Sequence, residues 1–205
     1  MKLFYAPNTI SIASVIALRE AGVKFEPVRL DFAAGEQTKP EYQAINPKGR
    51  VPALITDHGT LTETGAILDY IATLAPDQGL VPSDPWQAAQ MRAVMYYLAS
   101  TMHVNHAHKM RGHRWADQES ARADMTAKVP QTMTESCQFI EENALTGPFV
   151  MGSTFTIADP YLYTVCSWLE GDGVNVGDFP KILAFREAMR TRPSVQHAHD
   201  AGMFG

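Results

Sequence analysis

The stretch KLFYAPNTISIASVIALREAGVKFEPVRL (residues 2–30) decides how the chain begins to fold. KLFY (2–5) and FEPVRL (25–30) are apolar runs of strand length. SIASVIALREAG between them carries apolar residues at helical spacing and ends on Gly22, a residue suited to a helix C-cap. Strand, helix and strand in that order make a βαβ unit. The first strand breaks at Pro7, and the chain restarts as a helix with two hydroxyls in its first turn, Thr9 and Ser11. Hydroxyls at a helix start accept hydrogen bonds from free N–H groups, so capping stands beside any chemical role for both.

Outward from this unit, DFAAGEQTKPEYQAINPKGR (31–50) reads as a loop. VPALIT (51–56) and a short run at 60–62, separated by the turn residues DHG, read as two strands, and ETGAILDYIATLA (63–75) returns to helical spacing. The order β-α-β, loop, β-β-α predicts a thioredoxin-like α/β domain over residues 1–76. APDQGLVPSDP (75–85) breaks the periodicity, and a linker is expected over 77–85. From Trp86 onward no strand pattern stands out. Met91, Val94, Met95, Leu98 and Met102 recur at helical spacing and predict an amphipathic helix of about 25 residues. A second helix is expected at about 119–144. TIADPYLYTVCSWLE (156–170) is apolar on nearly every side, as in a helix surrounded by protein, and opens with a capping-box variant in which Thr156 caps forward and Asp159 reaches back. Residues 86–205 are therefore expected to form an all-α helical-bundle domain, with HAH (197–199) in a solvated tail.

Composition narrows the function classes. The 205 residues are 45% hydrophobic and 19% charged, enough to bury a sizeable core. A formal net charge of -5 without any Lys/Arg run argues against a nucleic-acid partner, which needs basic clusters to neutralise phosphates. No apolar stretch approaches the roughly 20 residues that span a bilayer, and Met1–Tyr5 runs straight into a strand pattern. A cytoplasmic protein with no membrane partner is expected. Cys137 and Cys166 lie in separate helical segments and read as reduced core residues.

Three stretches of the first domain carry chemistry. NPKGRVPAL (46–54) places a proline directly before a strand, where a plain strand-entry proline competes with a ligand-binding one. LTETGAI (61–67) presents Glu63 and Thr64 at a helix N-terminus, whose N–H groups and dipole suit a carboxylate. Together with the YAPNTIS turn and the later STFTIADPYL (153–162), these resemble the cytosolic glutathione S-transferase family along the whole chain. MKLFYAP, ALREAG, INPKGRVPAL and T-I-A-D look most like the bacterial beta-type branch.

The resemblance implies a glutathione site in the first domain. Val51 would pair its backbone with the cysteinyl unit ahead of a cis-Pro52, Glu63 and Thr64 would hold the γ-glutamyl end, and Arg50 or Gln37 would approach the glycyl carboxylate. Glutathione would serve as co-substrate, without a metal, in a homodimer. The departure falls at Ile10, where beta-type relatives typically have cysteine and other branches serine. Ile10 neither donates a hydrogen bond nor forms a mixed disulfide, so thiol activation passes to a neighbour. Ser11 is favoured over Thr9, because Thr9 is β-branched and suited to capping.

The helical domain adds HVNHAHKMRGH, with His103, His106, His108 and His113. Residues three apart share a helix face and invite a metal reading, but no cysteine or well-placed carboxylate in the stretch completes a ligand set. The resemblance instead aligns His103 with a histidine that lines the electrophile pocket near the sulfur. Tyr96, Ser100 and His103, at i, i+4 and i+7, form a polar stripe, and His106 falls nearer the apolar edge. With Ile10 these make the expected pocket. The expected activity is conjugation of the glutathione thiolate to small apolar electrophiles, of the detoxification type. The alternatives are another glutathione-dependent reaction (peroxidase, lyase or isomerase) and a glutathione-binding protein that has lost catalysis.

Overall fold

Strands β1 (Lys2–Tyr5), β2 (Glu26–Arg29), β3 (Ala53–Thr56) and β4 (Gly59–Thr62) form one sheet in the order β2-β1-β3-β4. β1 runs parallel to β2 and antiparallel to β3, and β3 pairs antiparallel with β4. The structure is a computed structural model that describes residues 1–204. It divides into two units, Met1–Pro85 with the segment from Arg190 onward, and Trp86–Met189.

In the first unit, helix α1 (Ser11–Glu20) buries every residue from Ser11 to Leu18. Gly22 ends it at φ +65°, with its N–H on Arg19 O and the Val23 N–H on Leu18 O, a conformation that costs glycine little. Residues 31–50 hold more structure than the loop expected: a 3₁₀ turn at Glu36–Thr38 and a single helical turn, α2 (Pro40–Gln43). Pro40 opens α2 because a first helical position needs no N–H bond. Tyr42 then anchors the turn in a core with Ala6, Leu30, Val51 and Ala53, its ring 5.5 Å from Phe4. Helix α3 (Thr64–Leu74) turns Ile67, Leu68 and Ile71 inward.

The second unit opens on one long helical run, α4 (Pro85–Tyr97) and α5 (His103–Arg111), joined through a π turn at Leu98–Met102. Helix α6 (Glu119–Phe139) likewise runs on through a π turn at Ile140–Ala144. Helix α7 (Ala158–Cys166) is buried along its whole length. Asp159, itself wholly buried, accepts the Thr156 N–H at 2.6 Å and the Val150 N–H at 2.8 Å, which is the reaching-back half of the predicted box. Helix α8 (Pro180–Arg190) comes next.

The C-terminal segment departs from the expected tail. Helix α9 (Pro193–Asp200) contains His197 and His199, yet Val195 and Ala198 are buried and the helix packs on α1. Arg192 forks onto Glu20 at 2.8 and 2.5 Å, Ser194 donates to the same carboxylate, and Arg19 meets His197 at 2.5 Å. A stripe of two apolar residues in an eight-residue helix is enough when a neighbour supplies the other wall. The residues from 190 onward thus join the first unit, whereas one helical domain was expected over 86–205. Among the described residues, no helix is long and apolar enough to cross a membrane, and no group of three or more His, Cys, Asp or Glu side chains is placed to hold a metal ion.

Candidate functional site

The sheet register gathers three polar segments of the first unit. Phe4 faces Ala53, and Ala53 faces Thr62. The end of β1, the start of β3 and the end of β4 therefore share one edge of the sheet, and with them lie the Ala6–Ser11 turn, Val51–Pro52 and Glu63–Thr64.

The turn is a small hydrogen-bond chain. Asn8 takes φ +57°, which Asn tolerates better than most residues. The Ala6 N–H donates to Ser11 Oγ at 3.1 Å, the Ser11 and Thr9 hydroxyl oxygens are 2.6 Å apart, and Thr9 Oγ1 lies 2.8 Å from Ala6 O. Each hydroxyl has one proton, so the order that satisfies every group is Ser11 O–H to Thr9 Oγ1 and Thr9 O–H to Ala6 O. Ser11 is wholly buried and held on both sides. The expectation that Ser11 reaches a ligand sulfur gives way for that reason: a hydroxyl enclosed by its own turn has no free direction. Thr9, at the end of the chain of hydroxyls, is only half-buried. Ile10 is buried at 6% exposure.

The second segment is fixed through the Arg50 carbonyl, which accepts Tyr42 Oη and Asn46 Nδ2, both at 2.6 Å. Burial pushes the Tyr42 hydroxyl up to about 12, so it stays a donor. The Val51–Pro52 bond is cis, and the β3 register begins only at Ala53, leaving the Val51 backbone outside the sheet pairing. Gln37 lies beside this segment: a Cβ on Gly49 would come within 2.9 Å of the Gln37 carbonyl. The Gln37 Oε1 is buried without a hydrogen-bond partner among the described residues.

The third segment begins with Glu63 at φ +71°, an uncommon conformation for a residue with a side chain, directly before α3. Such positions cost about 1 to 3 kcal/mol and gather at ligand clamps. Its carboxylate is 70% exposed and pairs with Lys48 Nζ at 2.5 Å, and Lys48 also donates to Thr62 Oγ1 at 2.8 Å. Thr64 is buried as the first residue of α3. Lys48 is absent from the sequence-derived set, although the motif NPKGR contains it; nothing in spacing alone pairs it with a residue fifteen positions on.

In the helical unit the expected stripe is broken. A π turn inserts an extra residue and rotates the remainder of the helix by about 100°. Tyr96 and Ser100 stay exposed, with the Ser100 hydroxyl turned back onto Tyr96 O at 2.8 Å. His103 and His106 instead pack on Trp168, with ring centroids at 5.1 and 4.2 Å. His106 Nδ1 is 2.6 Å from Asp172 Oδ2. Trp168 and Asp172 lie more than sixty residues further along and carry no motif that ties them to the histidines. The remaining thiols offer no chemistry: burial pushes Cys137 up to about 12 and holds Cys166 well above its ordinary value.

Comparison with known proteins identifies the family. Residues 1–73 match the glutathione S-transferase N-terminal domain and residues 105–198 the C-terminal domain. The chain is 36% identical to glutathione S-transferase GstA of Escherichia coli over 98% of both chains. It is 31% identical to a maleylacetoacetate isomerase of Pseudomonas aeruginosa, over 98% of this chain and 96% of that one. A glutathione transferase homologue from Sulfitobacter, solved with bound glutathione, superposes with a TM-score of 0.97 at 58% identity over 98% of both chains. With a sheet, a helical unit and both family domains in the expected order, the chain belongs to the glutathione S-transferase family.

Proposed function

We propose that the chain binds glutathione on the first unit and transfers its thiolate to small apolar electrophiles, a detoxification-type conjugation. The observation that carries this reading is the shared sheet edge, where the unpaired Val51 backbone, the Glu63–Thr64 helix start and the Thr9 turn converge. Val51 suits the peptide backbone of the cysteinyl unit, Glu63 the α-amino group of the γ-glutamyl end and Thr64 its carboxylate, with Gln37 and Arg50 near the glycyl carboxylate. Thr9 then donates to the sulfur by turning its proton off Ala6 O. Lowering the thiol pKa by about two units needs only ~2.7 kcal/mol of preference for the thiolate, within reach of one hydroxyl and the start of α1.

Ser11 supports this from behind, its own proton held by Thr9. On the helical unit, His103, His106, Tyr96 and Ser100 are proposed to meet the electrophile. The isomerase relative favours a second reading, a glutathione-dependent isomerisation at the same thiolate. Exposed Trp86 and Tyr96, at 70% and 66%, support a homodimer, which sedimentation would reveal, acting in the cytoplasm.

The test is conjugation of 1-chloro-2,4-dinitrobenzene together with the ultraviolet thiolate titration of bound glutathione. Wild type is expected to turn over, and Thr9→Val to raise the bound thiol pKa. Binding on glutathione-agarose without turnover of any electrophile would replace the enzyme by a binding protein.

A further inference from the structure

The segment from Arg190 onward belongs to the first unit and runs back along α1. Glu20, the last residue of α1, holds Arg192 and Ser194, and next to it Arg19 meets His197. At the other end of α1 the Asn8 N–H donates to Met203 O at 2.9 Å. Pro7 has no N–H, so Asn8 carries the first backbone donor of the turn after Ala6, and it does so at φ +57°, a conformation that costs a residue with a side chain.

The Met203 carbonyl is itself fixed. Met203 is 3% exposed, and Gly202 closes α9 at φ +64°, with the Met203 N–H on Ala198 O at 3.0 Å and the Gly202 N–H on His199 O at 2.9 Å. The Phe204 ring then lies 4.6 Å from that of His199.

Inside the turn, the chain of hydroxyls has a link that activation breaks. Thr9 Oγ1 lies 2.8 Å from Ala6 O, and the Thr9 proton leaves that oxygen when it turns to a sulfur. The turn then holds Asn8 at positive φ with one hydrogen bond fewer. Rotation about the Asn8 N–Cα or Cα–C bond would swing Thr9 aside, and a misplacement of about 1 Å can cost orders of magnitude in rate. The bond from Asn8 to Met203 is untouched by the turning proton.

Resting on the transferase reading above, we propose that the Met203 carbonyl is a positioning group for thiol activation: through the Asn8 N–H it holds the turn in place while the Thr9 hydroxyl serves the sulfur. The C-terminal segment thereby tunes the acidity of the bound glutathione thiol.

The experiment uses the full chain with one substitution at each end of this segment. Gly202→Val puts a β-branched residue at φ +64°, where space is open but the backbone is strained, and so displaces the Met203 carbonyl. Glu20→Gln weakens the other anchor and leaves the Met203 end intact. The readouts are ultraviolet thiolate titration of bound glutathione, kcat against pH for 1-chloro-2,4-dinitrobenzene, and calorimetry with S-methylglutathione, which has no thiol to ionise.

Gly202→Val should raise the bound thiol pKa by about 0.5 to 1, so that kcat below the wild-type pKa falls roughly three- to tenfold and recovers in alkali. Its affinity for S-methylglutathione should stay unchanged, and Glu20→Gln should match wild type in all three readouts. An unmoved thiol pKa in Gly202→Val, a loss of kcat equal at every pH, or the same shift in both variants would overturn the proposal while the transferase reading stands. A wild type whose bound thiol titrates like free glutathione would sink that reading and the proposal with it. Melting curves check the fold, and should Gly202→Val fail to fold, the milder Gly202→Ala takes its place under the same criteria.

Discussion

The Ala6–Ser11 turn and the His106–Asp172 pair are both polar clusters in apolar surroundings, built on opposite plans. The Thr9 and Ser11 hydroxyls of the turn bond to groups within six residues, whereas the pair joins positions 66 apart. Glu20 and Arg192, 172 positions apart, obey the second plan in the first unit. The difference teaches where each kind of site takes its geometry. A local cluster is dictated by backbone conformation and helix-start chemistry, while a long-range one exists only once two packed elements have met.

Substitutions sharpen or break this contrast. The largest effect is expected at Glu63, whose strained backbone and exposed carboxylate are set locally: Glu63→Ala should weaken glutathione binding by about 1.5 to 3 kcal/mol, roughly ten- to a hundredfold in Kd by calorimetry. Unchanged affinity would remove Glu63 from the site. Next comes Ser11→Ala, which orphans the buried Ala6 N–H and should cost about 1 to 3 kcal/mol in urea unfolding. A double-mutant cycle with Thr9→Val should show coupling, and strict additivity would break the picture of one local chain.

Tyr42→Phe should cost less, about 0.5 to 1.5 kcal/mol, because Asn46 still donates to the Arg50 carbonyl; a larger loss would make the Arg50 anchor depend on Tyr42 alone. The smallest effect at neutral pH belongs to the long-range pair. Burial pulls the Glu20 carboxyl up, but hydrogen bonds from Arg192 and Ser194 with the Arg192 charge outweigh it and hold the pKa below its ordinary 4.5. A folded pKa below the unfolded one means stability that is whole above that range and lost as pH falls through the folded value. Melting temperatures should drop more steeply in acid for wild type than for Glu20→Gln; parallel curves would refute the linkage.

The same division explains what was legible in the sequence. Short apolar runs bounded by turn residues located all four strands, and the T-I-A-D box announced the buried Asp159, because these signals repeat within a few residues. The cis bond before Pro52 was within reach of motif reading for the same reason. The stripe from Tyr96 to His103 was not, since a π turn leaves no mark in an apolar period and displaces every face beyond it. That Ser11 is wholly buried and Thr9 only half-buried was not legible either, because it depends on the packing of the turn rather than on residue type. Helix α9 hid because only Val195 and Ala198 interrupt its polar pattern and only α1 makes that apolar side meaningful.

The return of the chain to its own beginning orders events on the ribosome. The Asn8 N–H, next to Thr9, bonds to Met203 O at 2.9 Å, and Glu20 waits for Arg192. Everything from Trp86 to Met189 must be synthesised before those partners emerge. The nascent first unit therefore carries its sheet and opening turn through the whole translation of the helical unit with one wall missing, and the polypeptide made first acquires its full set of contacts after the part made second.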